Sequence, residues 1–368
     1  MGIRTYIFAG GGTGGHLMPA LAVAEELLRI EPQAKLAFAC SDREIDRRIL
    51  SATPYAFVPQ PIRPFPRGLR GWGAFLAGWR RSGRLAADLV RDLKPAAVLG
   101  LGGFAAVPVV RRSARAGIRL GMTSIDAVPG LANRFVAGQV QAIFAQFETT
   151  AAAYGRHAGK VRLVGCPVRA AILSARREPA LAELGLDAGR RTLLVMAGSL
   201  GAANINQAML GVLPDLAALP DWQVLHVAGP GKLEQIGDAY RQAGVPAVVM
   251  EFCQRMDLAY AAADLALCRA GASTIAELAA TLTPAVLMPY PYHRDQHQRH
   301  NAAALVQAGS AIEAVDVKDH AANAQALRQR MLPVMRDAGV LAAMRDSAGR
   351  TARPDAAAAI ARWMLGGS

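Results

Sequence analysis

Short apolar runs rich in β-branched residues alternate along this chain with longer segments of helical periodicity. This alternation is typical of βαβ units that build parallel sheets. It predicts two α/β halves, each opening with a strand that runs into a glycine-rich loop. The predicted strands are 5–9, 35–39, 97–100, 119–123 and 141–145 in the first half, and 192–197, 223–228, 247–250, 265–268 and 285–289 in the second.

Helical periodicity fills the intervals between the predicted strands, and the tail from 319 to 365 is predicted to be helical throughout. A polar stretch at 174–191, which contains Pro179, separates the halves. We expect domains at 1–165 and 166–368, with the last helix, about 355–368, a candidate to pack back on the first. Two such doubly wound sheets would face one another across a cleft, with ligands at the carboxyl ends of the strands.

Composition narrows the class of protein. Of 368 residues, 52% are hydrophobic and 19% charged, which is too apolar for a disordered chain. The four cysteines form no CxxC pair, so neither a disulfide framework nor a zinc module is expected. The apolar run at the start is too short for a signal peptide, and no apolar run approaches the ~20 residues that span a bilayer.

Charge is distributed unevenly between the halves. The formal net charge is +13; residues 1–160 hold 21 Lys/Arg and 10 Asp/Glu, whereas residues 161–368 hold 20 and 18. Almost all of the basic excess therefore lies in the first half. This asymmetry indicates an anionic partner on that half, either a nucleic acid or a lipid surface.

The segment 63–91 concentrates this charge, with seven arginines opposed by one acidic residue, Asp88. Its apolar side chains recur at helical spacing, which favours an amphipathic helix on an anionic membrane surface. A buried helix with a solvated basic face and a nucleic-acid surface are the alternatives. The arginines are Arg63, Arg67, Arg70, Arg80, Arg81, Arg84 and Arg91, and the apolar stripe is Trp72, Phe75, Leu76 and Trp79.

The first glycine loop, 10–15, formally contains GxGxxG. Glycines permit a tight turn, and the free N–H groups at a helix start attract phosphate. A dinucleotide site and a purely structural turn remain alternatives, but no Lys-Ser/Thr follows, so a P-loop is excluded. His16 begins the following helix, where it would bind an anion, accept a proton or merely pack. A second loop, 198–206, forms another phosphate-sized nest.

Two polar segments follow later strands of the second half. The segment 268–277 contains a strand end, a turn of small residues and a helix that carries Glu277. These elements would form a pocket in which the Glu277 carboxylate binds ribose hydroxyls. The alternative is that Glu277 only stabilises the start of the helix by its negative charge. In 289–301, His293, His297 and His300 suggest a metal site, but a polar loop lining the cleft explains them better. No Asp-x-Asp occurs, which argues against a divalent ion on a nucleotide diphosphate.

Taken together, these segments resemble the MurG-type glycosyltransferases of peptidoglycan synthesis (glycosyltransferase family 28, GT-B fold), over nearly the whole chain. The resemblance implies inverting transfer of N-acetylglucosamine from UDP-N-acetylglucosamine to the MurNAc 4-hydroxyl of lipid I, giving lipid II, without a cofactor or metal, by a peripheral enzyme at the cytoplasmic face of the cell membrane. The motifs are Gly11-Gly12-Thr13-Gly14-Gly15-His16 with Pro19, Gly100-Leu101-Gly102-Gly103-Phe104 with Pro108, Gly130-Leu131-Ala132-Asn133, Gly165-Cys166-Pro167-Val168-Arg169, Gly198-Ser199-Leu200-Gly201-Ala202, Arg269-Ala270-Gly271-Ala272, and 295–301.

The resemblance also implies roles for matching residues. On the donor side, Ser199, Gly201 and Arg169 would hold the diphosphate, and the backbone of Cys253 would contact the uracil. Gln298 would hold the sugar. The segment Ala272, Ser273, Thr274, Ile275, Ala276 and Glu277 would take phosphate and ribose, with Glu277 on the ribose hydroxyls. Thr13, Gly14 and Gly15 would line the acceptor side.

The chain departs from the family pattern on the acceptor side. Family members commonly carry His-Glu-Gln-Asn where this chain has Thr123-Ser124-Ile125-Asp126, so Ser124 replaces a carboxylate. The family Tyr is Phe104, and the Asn of Gly-Asn-Pro-Val-Arg is Cys166. The resemblance therefore leaves His16 and Asp126 as candidate bases. Alternatives are a related UDP-sugar transferase with a different lipid acceptor, or a catalytically weakened sugar-nucleotide binder.

Overall fold

A computed structural model describes residues 2–12, 14–62, 66, 71–196, 202–292 and 295–367. The chain divides into two compact units, Met1–Arg169 with Pro354–Ser368, and Ala170–Arg353. Our sequence-based limits for the domains, 1–165 and 166–368, remain a proposal. Within the ranges described, no helix combines the length and apolar character needed to cross a bilayer.

The first unit is built on a parallel sheet whose order, over its described strands, is β3-β2-β1-β4-β5-β6-β7. The chain leaves β1 toward β2 on one side and later returns to pair β4 on the other, so the topological switch point lies between β1 and β4. The strands are β1 (Thr5–Gly10), β2 (Lys35–Ala39), β3 (Ala56–Phe57), β4 (Ala97–Gly102), β5 (Arg119–Ser124), β6 (Ala142–Ala145) and β7 (Val161–Leu163).

Helices cover both faces of this sheet. Because successive strand residues point to opposite faces, Phe8 packs in one apolar cluster with Leu17 of the first helix, and Ile7 packs in the other with Val110. The helices are α1 (Gly14–Ile30), α2 (Glu44–Ser51), α3 (Trp72–Leu93), α4 (Ala106–Arg115) and α5 (Leu131–Val136), with 3-10 segments at Ala137–Gln139 and Glu148–Lys160.

The second unit repeats this plan with a parallel sheet of order β10-β9-β8-β11-β12-β13 in its described part, and its switch point lies between β8 and β11. Its strands are β8 (Arg191–Met196), β9 (Trp222–Val227), β10 (Ala247–Met250), β11 (Leu265–Cys268), β12 (Ala285–Leu287) and β13 (Ala311–Glu313). Its helices are α6 (Ala170–Ser174), α7 (Arg177–Leu184), α8 (Ala202–Gly211), α9 (Leu213–Ala217), α10 (Leu233–Gln242), α11 (Met256–Ala262), α12 (Ala272–Ala280), α13 (His297–Ala308), α14 (His320–Arg336) and α15 (Ala338–Ala348).

The last helix, α16 (Ala356–Met364), belongs to the first unit. Its Trp363 is buried in the cluster that contains Phe8 and meets Phe144 edge-on, with ring centroids 5.3 Å apart. The guanidinium of Arg119 lies 4.3 Å from the Trp363 ring centroid. The end of the chain thus completes the core of the unit in which the chain begins.

The predicted fold class, two Rossmann-like halves with parallel sheets and C-terminal helices, is confirmed. One helix was not predicted, and one local prediction is wrong. The stretch 174–191 contains α7, which accommodates Pro179 because the N–H groups of a first turn have no partner within the helix. The tail is not helical throughout, because Asp337 ends α14 and its side chain caps α15 by accepting the Gly339 and Val340 N–H groups.

Candidate functional site

Two glycine loops meet at the switch point of the first unit. Gly10, at the end of β1, has φ 139°, and Gly102, at the end of β4, has φ 94°. A Cβ at Gly10 would lie 2.5 Å from the Gly102 carbonyl oxygen, and a Cβ at Gly103 would lie 2.8 Å from that of Gly11. The backbones therefore approach so closely that side chains are excluded, which explains the glycines physically.

Asp46 on α2 holds the first loop from behind. Its buried carboxylate accepts the Gly12 N–H with Oδ1 and Oδ2, at 3.0 and 2.7 Å, and the Ser41 hydroxyl at 2.5 Å. The guanidinium of Arg43 donates to the Gly12 carbonyl at 3.0 Å. Sequence reasoning missed Asp46, because its 34-residue separation from Gly12 leaves no local signal.

A pocket of about 180 Å³ opens beside these loops. It brings together both candidate bases, His16 from the start of α1 and Asp126 from the loop after β5. Gly14 and Gly15 lie half-buried at the start of α1, whereas Thr13 lies outside the described residues. The lining residues are His16, Gly103, Phe104, Ser124, Ile125, Asp126, Pro129, Gly130, Leu131, Ala132 and Asn133.

The imidazole of His16 packs against bare backbone at Gly102, where a Cβ would lie 3.2 Å from His16 Cε1 and 3.1 Å from Asn133 Oδ1. Asn133 in turn donates its amide to the Thr123 carbonyl at 2.9 Å. The Nδ1 atom of His16 is buried and has no hydrogen-bond partner among the described residues. Asn133 was assigned no role in sequence reasoning, although its Gly-Leu-x-Asn motif was noticed.

Ser124, at the position of the family carboxylate, is buried and accepts a hydrogen bond from the Tyr154 hydroxyl at 2.9 Å. Burial raises the pKa of Tyr154, with smaller opposing effects from its polar neighbours. The phenol is therefore protonated at neutral pH. The pocket lining at position 124 is therefore a hydroxyl and not a carboxylate, and the ionisable residues in the lining are His16 and Asp126.

In the second unit, the predicted phosphate and ribose segment forms α12, directly after β11 and next to the switch point. Gly271 precedes the helix with extended backbone and no side-chain cap. The N–H groups of a first helical turn do not bond within their own helix, and a helix start favours negative charge. Ser273, Thr274, Ala276 and Glu277 are half-buried, whereas Ala272 and Ile275 are buried.

Glu277 lies in the second turn of α12, one turn beyond Ser273 on the same face. Its Oε2 accepts a hydrogen bond of 2.8 Å from the hydroxyl of Tyr260 on α11. Sequence reasoning missed Tyr260, because a tyrosine among small residues in a helix has the pattern of an ordinary core aromatic.

A buried ion pair lies next to the start of this segment. Arg269 donates to Asp316 at 2.9 Å, and Asn204 near the start of α8 donates to both oxygens of Asp316. Burial by itself raises the pKa of Asp316, but hydrogen bonds led by that from Asn204 outweigh it, so the pKa is lowered overall. The carboxylate thereby ties the ends of two neighbouring βα connections together.

The other donor-side candidates are placed as follows. Gln298, in the first turn of α13, accepts the Tyr290 N–H with Oε1 at 2.9 Å. Cys253 is buried in the loop between β10 and α11, and Arg169 is half-buried at the end of the first unit. Ser199, Gly201 and His293 lie outside the described residues, while His297 pairs with Asp295 through Nδ1 at 2.9 Å.

The predicted amphipathic segment is confirmed as a helix in α3, but its apolar stripe is divided. Trp72 and Leu76 are exposed, at 43% and 46%, whereas Phe75 is buried and Trp79 packs on the core. Arg80, Arg81, Arg84 and Arg91 are exposed; Arg63, Arg67 and Arg70 lie outside the described residues. The surface formed by Trp72, Leu76, Arg80, Arg81 and Arg84 is called the α3 surface below.

Comparison with known proteins identifies the class. Residues 6–145 match the glycosyltransferase family 28 N-terminal domain and residues 192–360 match its C-terminal domain. The chain belongs to glycosyltransferase family 28, and it is a glycosyltransferase.

Relatives and solved structures resemble the chain from end to end. The chain is 38% identical over 94% of both chains to a UDP-N-acetylglucosamine--N-acetylmuramyl-(pentapeptide) pyrophosphoryl-undecaprenol N-acetylglucosamine transferase of Leifsonia xyli, and 34% identical over 95% of both to that of Halothermothrix orenii. MurG of Acinetobacter baumannii matches with a TM-score of 0.75 at 25% identity, covering 99% of each chain. A UDP-GlcNAc 2-epimerase of Neisseria meningitidis (TM-score 0.66, 14% identity, covering 99% and 100%) shares the fold alone.

Proposed function

We propose that the protein transfers N-acetylglucosamine from UDP-N-acetylglucosamine to the 4-hydroxyl of the MurNAc residue in lipid I, with inversion, and so forms lipid II. The observation that carries the proposal is the arrangement of α12 at the switch point of the second sheet. There, the N–H groups of the first turn lie at the carboxyl end of β11, and the carboxylate of Glu277 follows one turn after Ser273. The activity for which two relatives are named, each matched over 94–95% of its length, supports the same conclusion.

The diphosphate of the donor would lie at the start of α12, where helix N–H groups favour negative charge. The ribose would reach Glu277, which lies roughly 6 Å further along the helix axis. Ser199, Gly201 and Arg169 are proposed to complete the diphosphate contacts, Cys253 the uracil contact and Gln298 the sugar contact.

The acceptor is proposed to occupy the first-unit pocket, where His16 or Asp126 takes the proton of the attacking hydroxyl. The oxygen then forms the new bond to the anomeric carbon as the bond to UDP breaks. The guanidinium of Arg169 and the helix N–H groups stabilise the departing diphosphate. No cofactor or metal takes part in this proposal.

The α3 surface is proposed to bring the enzyme to the anionic cytoplasmic face of the membrane, where the lipid acceptor resides. Two large apolar side chains beside three exposed arginines are the pattern of an interfacial helix. Nucleic acid is not a proposed partner.

The test is UDP release from UDP-N-acetylglucosamine with and without a lipid I analogue, with mass analysis of the lipid product. Acceptor-dependent release and a product heavier by one N-acetylglucosamine are expected. UDP binding without acceptor-dependent release would instead identify a sugar-nucleotide binder. Release only with another lipid would identify a transferase with a different acceptor.

A further inference from the structure

We propose that Tyr260 is a positioning residue for the donor nucleotide, whose hydroxyl holds the carboxylate of Glu277 in the orientation that receives the ribose hydroxyls. The inference rests on the proposed function, since a ribose-bearing donor is part of it. The contact that carries it is the 2.8 Å hydrogen bond between Tyr260 Oη and Glu277 Oε2.

The direction of this hydrogen bond follows from the burial of the phenol. Tyr260 is 2% exposed on α11. Burial raises the pKa of the Tyr260 phenol well above its ordinary value, and the charge of Glu277 is the second largest cause. The hydroxyl therefore stays protonated and donates, while the ionised carboxylate only accepts. A charge-assisted bond of this kind is stronger than a neutral one.

Glu277 itself needs such a restraint. It is half-buried on α12, and a glutamate side chain at a partly solvated helix position has several rotamers available. A fixed donor on one oxygen selects one of them. Because an ionised carboxylate offers about four lone-pair sites, it accepts the Tyr260 hydroxyl and still has capacity for donors from a vicinal diol. Restricting the carboxylate before binding reduces the ordering cost of binding.

The positions of α11 and α12 indicate which part of the nucleotide the Tyr260–Glu277 hydrogen bond affects. Ser273 and Glu277 share a face of α12 one turn apart, so a phosphate at the helix start and a ribose at Glu277 belong to one nucleotide. Tyr260 approaches from α11, 17 residues earlier, and its hydroxyl bonds the carboxylate at the ribose end. Thr274, in the first turn of α12, also bonds this hydroxyl. The structure therefore predicts that Tyr260 affects ribose recognition without touching the diphosphate.

The first experiment measures the dissociation constant of UDP by calorimetry for the wild-type protein and Tyr260→Phe. The variant should bind UDP roughly five- to tenfold more weakly, which is less than the full loss of one hydrogen bond to a charged group because Tyr260 acts only through the Glu277 carboxylate. The wild-type protein should discriminate against 2′-deoxy-UDP, and the variant should lose most of that discrimination. A merely structural hydroxyl would not alter the ratio of the two affinities.

Tyr240→Phe is the matched control. Tyr240 is equally buried in the same unit, but its hydroxyl bonds to His226 Nδ1 at 3.0 Å. Removing it should leave UDP affinity unchanged. Unchanged UDP affinity and unchanged discrimination in Tyr260→Phe would overturn the inference, even where Glu277→Ala still weakens UDP. Failure of the wild-type protein to bind UDP would overturn the proposed function instead.

A second measurement does not depend on the folding of Tyr260→Phe. Incorporation of 3-fluorotyrosine at position 260 retains the ring and the hydroxyl. Saturation with UDP should shift its fluorine resonance, and 2′-deoxy-UDP should shift it less. Equal shifts with both nucleotides, or no shift with UDP, would contradict the proposed coupling between Tyr260 and the ribose.

Discussion

The carboxylate of Asp46 accepts the backbone N–H of Gly12 with both of its oxygens, at 3.0 and 2.7 Å. The Ser41 hydroxyl donates to the same carboxylate, whose residue is 0% exposed. The glycine loop that leads to His16 is thus held by a side chain from the next helix. One consequence is that the Gly12 N–H is already bonded within the protein, so an anion at this loop would have to use N–H groups beyond it.

Asp46→Ala should destabilise the first unit by about 2–4 kcal/mol, because it leaves the buried Ser41 hydroxyl and the half-buried Gly12 N–H without their acceptor. Urea unfolding followed by circular dichroism measures this. Asp42→Ala, an exposed acid two residues before α2, should change stability by less than about 0.5 kcal/mol. Equal effects of the two changes would show that the buried hydrogen bonds contribute nothing measurable.

His16→Ala and Asp126→Ala should each lower kcat, by about 10²-fold or more for the residue that acts as base. UDP affinity should stay nearly unchanged, because both residues belong to the first unit. Glu148→Ala removes an exposed carboxylate outside the pocket lining and should be neutral. Full activity in both variants would show that neither residue is the base.

Glu277→Ala should raise the dissociation constant of UDP-N-acetylglucosamine by about tenfold, through loss of charge-assisted bonds to the ribose. Calorimetry with the donor alone isolates this effect from the acceptor. Glu234→Ala, an exposed acid at the start of α10, serves as the control of equal charge. Unchanged donor affinity in Glu277→Ala would remove the ribose role.

Replacing Trp72 and Leu76 together by serine should weaken binding to vesicles rich in anionic lipid by about tenfold or more, since both apolar side chains are exposed. Cosedimentation measures this, and added salt should weaken the wild-type interaction. Leu233→Ser changes a comparably exposed leucine of the second unit, 43%, and should have no effect. Tight binding to DNA in the same buffer, with no vesicle binding, would contradict the proposal.

His226 should make the second unit sensitive to acid. It lies buried between Tyr240 and Asn206, and burial lowers its pKa to about 3 from 6.5. Above pH 6.5 the imidazole is neutral in both states. Below pH 6.5 the imidazole is protonated in the unfolded chain but stays neutral in the folded chain. The free energy of unfolding therefore falls toward pH 3, with a limiting slope of about 1.4 kcal/mol per pH unit.

Unfolding free energies of the wild-type protein and His226→Gln between pH 7 and 4 measure this contribution. The slope of the variant should be shallower at any starting stability, because the carboxylates that also titrate are common to both proteins. Identical slopes would show that His226 does not contribute.

Sequence patterning predicts the bounds of three strands to the residue, although only one of them, 265–268, is buried along its whole length. Residues 35–39, 247–250 and 265–268 form strands with the predicted bounds. β7 and β13 were missed, because each has three residues and is partly exposed, so neither gives an apolar run of useful length. α7 was missed because Pro179 and several charges suggest a linker, although a first helical turn tolerates proline.

The sequence by itself determined the parallel α/β architecture, the glycine loops at strand ends and the segment 272–277 as a helix start, because these depend on local periodicity and on backbone conformations that only glycine adopts readily. Tertiary structure alone decided the partners: Asp46 with Gly12, Tyr260 with Glu277, and His16 in one pocket with Asp126. The reason is physical. Strand order places β1 beside β4 and β8 beside β11, and such long-range neighbours leave no mark on the periodicity of either segment.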